Sequence, residues 1–149
     1  MGSPAEIIGA YLREHEIRHE RPSESDWTVQ LRGEKKLSTT VLFAVRERTL
    51  AVEAFFMRRP NENHAEFYRM LLRANMRTYA IRFAVDDVGD VYLVARIPLA
   101  SVTEEELDRV LGAILTTAEE TFMPAIEVGF ASYLQRDMAW RAAQTQTPR

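Results

Sequence analysis

Leu50–Met76, LAVEAFFMRRPNENHAEFYRMLLRANM, changes its periodicity partway along, and that change decides the fold. Its first part, LAVEAFFMR, is an apolar run of strand length. Beyond Asn63 the apolar positions become Phe67, Met70, Leu71 and Ala74, which is the spacing of one helix face. A strand therefore feeds a helix through a short polar connection.

That connection raises a chemical question, because His64-Ala65-Glu66 has the H-x-E form of half a zinc deaminase site. The other half is a P-C-x-x-C motif that supplies thiolates, and the chain has no cysteine. Disulfides, thiolate nucleophiles and cysteine-bound metals are excluded with it. The preferred reading makes Asn63-x-x-Glu66 a capping box, in which Glu66 reaches back to a free backbone N–H and suits the helix dipole. His64 is then an ordinary first-turn residue. His15 and His19 have the i, i+4 spacing that can hold a divalent ion on a helix, but no third ligand accompanies them.

Toward the N-terminus, STTVLFAVR lies one tight connection, Glu47-Arg48-Thr49, before the opening strand. WTVQL alternates Trp27, Val29 and Leu31 against Thr28 and Gln30, with RGEKK as the turn that follows. A three-stranded antiparallel meander results. The long apolar runs in its second and third strands call for partial burial of the second sheet face, by a helix or another subunit. A first helix is predicted from Pro4 to about His19, with Ile7, Ile8, Tyr11 and Leu12 on one face, and the polar linker RHERPSESD follows it.

Toward the C-terminus, YAIRFAVDDVGDVYLVARIPL reads as a hairpin turning through Asp86–Asp90, where Gly89 can take a positive φ. Thr103-x-x-Glu106 is a second capping box, opening a helix with Leu107, Val110, Leu111, Ile114, Leu115, Ala118 and Phe122 on one face. Pro124 is expected to break or kink it before a last helix, AIEVGFASYLQRDMAWR. Residues 1–141 are expected to form a single domain, and AAQTQTPR, 142–149, a flexible tail.

The chain has 149 residues, 46% of them hydrophobic, and no apolar run of membrane-spanning length, so no membrane association and a cytoplasmic protein are expected. Net charge is −3 but unevenly placed: residues 32–82 carry eleven basic and five acidic side chains, residues 83–149 five and eleven. No glycine cluster supports a nucleotide loop, and no G-x-S-x-G elbow is present. Glu104, Glu105, Glu106 and Asp108 are read as helix-start acids. No catalytic, metal or cofactor-binding residue is assigned, and no cofactor is expected. Arg69, Arg73 and Arg77, at i, i+4 and i+8, with Arg58 and Arg59 just before them, form a candidate basic surface for an acidic partner or nucleic acid. The negative net charge and the lack of a recognition motif rank nucleic acid below protein.

The order of elements, together with DWTVQL, VEAFFMRRPNENHAEFYRMLLRANM, VGDVYLVARIPL, LDRVLGAIL and EVGFAS, resembles the bacterial YbjN family, often described as sensory transduction regulators. That family is similar in fold to the class I type III secretion chaperones. The resemblance covers roughly residues 5–140. It implies an α+β sandwich with an antiparallel sheet, order α-β-β-β-α-β-β-α plus a C-terminal helical extension, and a homodimer that handles a protein client without doing chemistry. In such chaperones the dimer contact maps onto roughly residues 64–85 here. Tyr68, Leu72, Met76 and Tyr79, with Ile81 and Phe83, are the interface candidates, since one helix face cannot bury them all. The alternative cover is the C-terminal helix of the same chain. The expected function is a non-enzymatic protein-interaction module, chaperone-like or regulatory. Binding through the Arg stripe is the first alternative, and a metal-dependent enzyme built on His64, His15 or His19 the second.

Overall fold

The computed structural model describes residues 2–146. Helix α1 (Pro4–Glu14) is followed by strands β1 (His19–Glu20), β2 (Asp26–Arg32), β3 (Ser38–Val45) and β4 (Thr49–Met57). Helix α2 (His64–Ala74), strands β5 (Arg82–Val85) and β6 (Val91–Pro98), a 3-10 turn at Leu99–Ser101, and helices α3 (Glu104–Gly129) and α4 (Ala131–Gln146) complete the chain. The strands form one sheet in the order β1-β2-β3-β4-β6-β5, with every neighbouring pair antiparallel.

Period-2 alternation sends one set of strand side chains to each face, and only one set meets helices. Trp27 lies opposite Phe43, Phe43 opposite Val52, and Val52 opposite Ala95, all of them buried. These residues share a continuous core with Ile8, Tyr11 and Leu12 of α1, Phe67 and Leu71 of α2, and Leu107, Val110, Ile114 and Ala118 of α3. Burying each such large side chain contributes about 1.5–3 kcal/mol. The result is a two-layer α+β sandwich whose second sheet face, with Gln30, Leu42, Glu53, Phe55 and Tyr92 half-buried or exposed, is covered by no helix among the described residues. Glu119 of α3 clasps the β2–β3 turn by accepting the backbone N–H groups of Lys35 at 2.8 Å and Lys36 at 3.4 Å.

Four sequence expectations need correction. The first helix ends at Glu14, not near His19, because Glu16 enters the left-handed region at φ 53° and turns the chain into the edge strand β1. The meander thus gains a two-residue strand inside what was read as linker. Pro124 neither breaks nor ends α3; the helix runs on to Gly129, and the chain turns at Phe130. A proline costs the helix one backbone hydrogen bond, and Ala118, Thr121 and Ala125, buried around it, hold the surrounding turns in place. Finally, α4 carries helical structure through Gln146, so the expected tail is helical over 142–146, and 147–149 lie outside the described residues.

Candidate functional site

The histidines do not come together. His15 pairs with Glu104 at 3.0 Å, whereas the His19 ring bonds the Ile17 carbonyl at 2.7 Å on the edge strand. The bend at Glu16 destroys their helical i, i+4 relation. His64 is exposed in the first turn of α2, its ring 6.4 Å from that of Tyr68. Among the described residues, no three His, Asp or Glu side chains are placed to hold a metal ion together.

Asn63 is the N-cap of α2 but does not act as a capping box. It sits at φ 53°, and its side chain makes no cap hydrogen bond. Instead its Nδ2 donates to the Val128 carbonyl at 2.8 Å. The neighbouring N–H groups of Asn61 and Glu62 both donate to the Gly129 carbonyl, at 2.9 and 3.3 Å. Asn61-Glu62-Asn63 therefore satisfies carbonyls that the C-terminus of α3 leaves without intrahelical donors. Glu62 also reaches forward, accepting from the Ser132 backbone N–H at 2.7 Å and its hydroxyl at 2.9 Å. Those bonds hold the Glu62 carboxyl below the usual range and place an anion at the start of α4. Arg58 completes the junction, with its guanidinium 4.4 Å from the Phe130 ring centre and donating to Asn61 Oδ1 at 2.9 Å. One polar tripeptide thus ends one helix and begins the next.

Thr103 behaves as expected in part. Its Oγ1 accepts from the Glu106 N–H at 3.1 Å, but the Glu106 carboxylate accepts from the Tyr79 hydroxyl at 2.9 Å rather than reaching back. The acids beside it are also engaged: Asp108 accepts from the Tyr11 hydroxyl at 2.9 Å, and burial together with that carboxylate pushes the Tyr11 pKa far up.

The proposed interface residues divide. Ile81 and Phe83 are buried inside this chain and belong to its own core, so they offer no surface to a partner. Tyr68 is half-buried, and its hydroxyl donates to the Gly89 carbonyl at 3.0 Å, tying α2 to the β5–β6 turn, where Gly89 has φ 94°. Tyr79 is held to Glu106. Leu72 and Met76 stay open, 66% and 87% exposed, and α4 does not fold over them.

The free edge of β5 is guarded. Asn75 accepts from the Phe83 N–H at 2.7 Å and donates to the Phe83 carbonyl at 3.3 Å, so one carboxamide fills the place a further strand would take. The open face differs: Phe55 and Tyr92 meet edge-to-face at 5.5 Å, Val94 and Leu42 flank Glu53 in the next row, and Phe55 is 42% exposed. Toward β1 this face passes Thr28 and Gln30, which also line a groove of about 1010 Å³ with His19, Leu31 and Leu37.

The five arginines do not form one stripe. Arg58 turns to Phe130, and the Arg59 side chain lies beside Gly89 of the β5–β6 turn, where the Arg59 backbone N–H donates to Asp90 at 2.8 Å. Arg69, Arg73 and Arg77 do line up, with Met70, Glu66 and Val128, along a groove where α2 meets α3. Two features lay outside sequence reasoning, the Asn61–Asn63 junction and the Asn75 plug; a polar run before α2 and a single asparagine after it were the local signs of them.

A six-stranded antiparallel sheet backed by helices on one face, with an uncovered apolar face and no assembled catalytic set among the described residues, is the α+β fold of type III secretion chaperones. The fold is similar to a chain of the heterodimeric ExoU–SpcU complex from the type III secretion system of Pseudomonas aeruginosa, with TM-score 0.54 and 15% identity over 81% of this chain and 96% of that one. It is also similar to a chain of the ExsC–ExsE complex, with TM-score 0.50 and 20% identity over 77% and 87%. The chain belongs to the YbjN family, described as "Putative bacterial sensory transduction regulator", whose profile matches residues 4–127. An uncharacterized protein of Mycobacterium leprae (strain TN) is 42% identical over 80% of this chain and 65% of its own length. One of Mycobacterium tuberculosis (strain H37Rv) is 39% identical over 87% and 72%. The chain thus spans about two thirds of the length of these relatives.

Proposed function

We propose that this protein is a non-enzymatic protein-interaction module of the cytoplasm, chaperone-like or regulatory, that binds a protein partner through its open sheet face. The observation that carries the reading is the apolar surface made by exposed Phe55 and half-buried Leu42, Tyr92 and Val94 on a sheet whose other face is packed against helices. Apolar patches of this kind mark partner surfaces. The adjoining groove at the β1 edge suits an extended segment, whereas the Asn75 plug disfavours strand addition at β5. A photo-crosslinking amino acid at Phe55 is expected to capture a defined protein in the native cell, and one at exposed Glu120 is not. Equal products at both positions, or none at Phe55, would sink the reading.

A second copy is the proposed cover for Leu72 and Met76 within residues 64–85, since both are largely exposed in one chain. Light scattering at tens of micromolar protein checks this: a dimer mass that Leu72→Asp shifts toward monomer is expected, and a monomeric wild type would end the proposal.

A further inference from the structure

We infer that the groove between α2 and α3, walled by Arg69, Arg73 and Arg77, is a docking site for an acidic helical segment of a partner protein. The inference deepens the protein-interaction reading above and rests on it. Three guanidinium groups stand exposed along this groove, and none has a hydrogen bond, ion pair or electrostatic partner among the described residues. Outside the groove three arginines are ion-paired, Arg46 with Asp26, Arg109 with Glu106 and Arg141 with Asp137; what sets Arg69, Arg73 and Arg77 apart is that three unpaired arginines line one groove. Three neighbouring unpaired arginines repel one another, and an anionic ligand relieves that repulsion.

The chemistry of the anion follows from the lining. Arg69 and Arg73 are one helical turn apart, about 6 Å along α2, and Arg77 stands in the turn just past its end, so the three face carboxylates at i, i+4 and i+8 of a second helix. The floor is apolar, formed by the Met70 thioether and the Val128 side chain, and it suits aliphatic residues between those acids. Among the described residues no aromatic ring lines the groove, so nucleic acid bases find no stacking platform there.

A second copy of this chain is a poor occupant. Its acidic cluster is already engaged, Glu104 with His15, Glu106 with Tyr79 and Arg109, and Asp108 with Tyr11. Helix α4 carries Arg136 and Arg141 against a single Asp137 and has no acidic face to offer. Glu105, Glu120 and Glu127 are not at the required spacing, and no described helix of this chain carries acids at i, i+4 and i+8, so the matching acids come from a different polypeptide.

The test uses fluorescence anisotropy with the full chain and a labelled helical peptide bearing Glu at i, i+4 and i+8 separated by Leu and Ala. A Lys-for-Glu version of the peptide and a twelve-nucleotide oligo-dT serve as competing probes. The Glu peptide is expected to bind, to weaken with added salt, and to lose about tenfold or more in affinity to Arg69→Glu/Arg73→Glu. Both positions are exposed, so the variant is expected to keep the wild-type melting temperature. Equal binding of the Lys peptide, binding insensitive to the two reversals, or tighter binding of oligo-dT overturns the inference. If the Glu peptide fails while Phe55 still crosslinks a partner, this groove assignment falls and the module reading stands. Loss of the Phe55 crosslink with peptide binding intact does the reverse, removing the sheet-face reading and leaving the groove.

Discussion

Asn63 and Thr103 open the two helices that frame the core, each three residues before a glutamate, yet they do different work. Thr103 caps its own helix through the Glu106 N–H. Asn63 turns away from its own helix and bonds the far end of α3 through the Val128 carbonyl. The difference lies in what surrounds them. Thr103 follows a 3-10 turn and has an extended backbone, the conformation that lets a cap side chain fold over the first turn. Asn63 has a left-handed backbone because the chain must leave β4 and dock α2 beside the end of α3. A cap is a local device, whereas a clamp needs a second element in place.

The clamp should be the more sensitive of the two. Gly129→Ala puts a Cβ 2.7 Å from the Phe67 ring and 2.9 Å from Pro60, where neither buried group can move freely, and urea denaturation is expected to show a loss of about 2–3 kcal/mol. A loss under about 0.5 kcal/mol would mean that the end of α3 is not held as tightly as its packing implies. Next, Asn63→Ala is expected to cost about 1–2 kcal/mol, combining left-handed strain with a lost hydrogen bond, and Thr103→Ala about 1 kcal/mol from the cap alone. Asn63→Gly separates the two parts, because glycine keeps the backbone comfortable and removes only the amide. If Asn63→Gly and Asn63→Ala were equal, backbone strain would be irrelevant.

Glu62 sharpens the comparison through pH. Its carboxyl is lowered chiefly by the Ser132 backbone hydrogen bond. Its support of α4 is therefore complete above the ordinary glutamate range and lost as pH falls through the lowered value. The Ser132 amide resonance should follow this titration, with a midpoint below that of an ordinary glutamate, and Glu62→Gln should abolish the pH response. The smallest effect belongs to His64→Ala, which is expected to change stability by under about 0.5 kcal/mol, since the ring is exposed and makes no hydrogen bond among the described residues. Loss of partner binding with stability intact would instead make His64 part of an interaction site.

Much of the fold was legible because burial repeats at short range. The alternation Trp27, Val29, Leu31 and the helical spacing of Phe67, Met70, Leu71 and Ala74 each carry their own element type, and the family resemblance rests on the same stretches. The arginine surface was half legible: helical spacing placed Arg69, Arg73 and Arg77 together, but Arg58 turns to Phe130 and Arg59 lies beside Gly89, which no spacing rule connects to them. Ile81 and Phe83 were read as surplus because a short hairpin strand gives no sign of which neighbour will cover it. The strand β1 was missed because two residues cannot establish a period.

By itself, the sequence determined the alternation of strands and helices, their order, the absence of thiol chemistry and the apolar face of each element, since all of these depend on residues within a few positions of one another. Tertiary structure alone decided which sheet face the helices cover, where Asn63 spends its amide, that Asn75 plugs the β5 edge and that His15 and His19 part company. The reason is physical: a polar side chain takes whichever unpaired backbone group packing brings within about 3 Å. For Asn63 that group lies 65 residues away, beyond any local pattern.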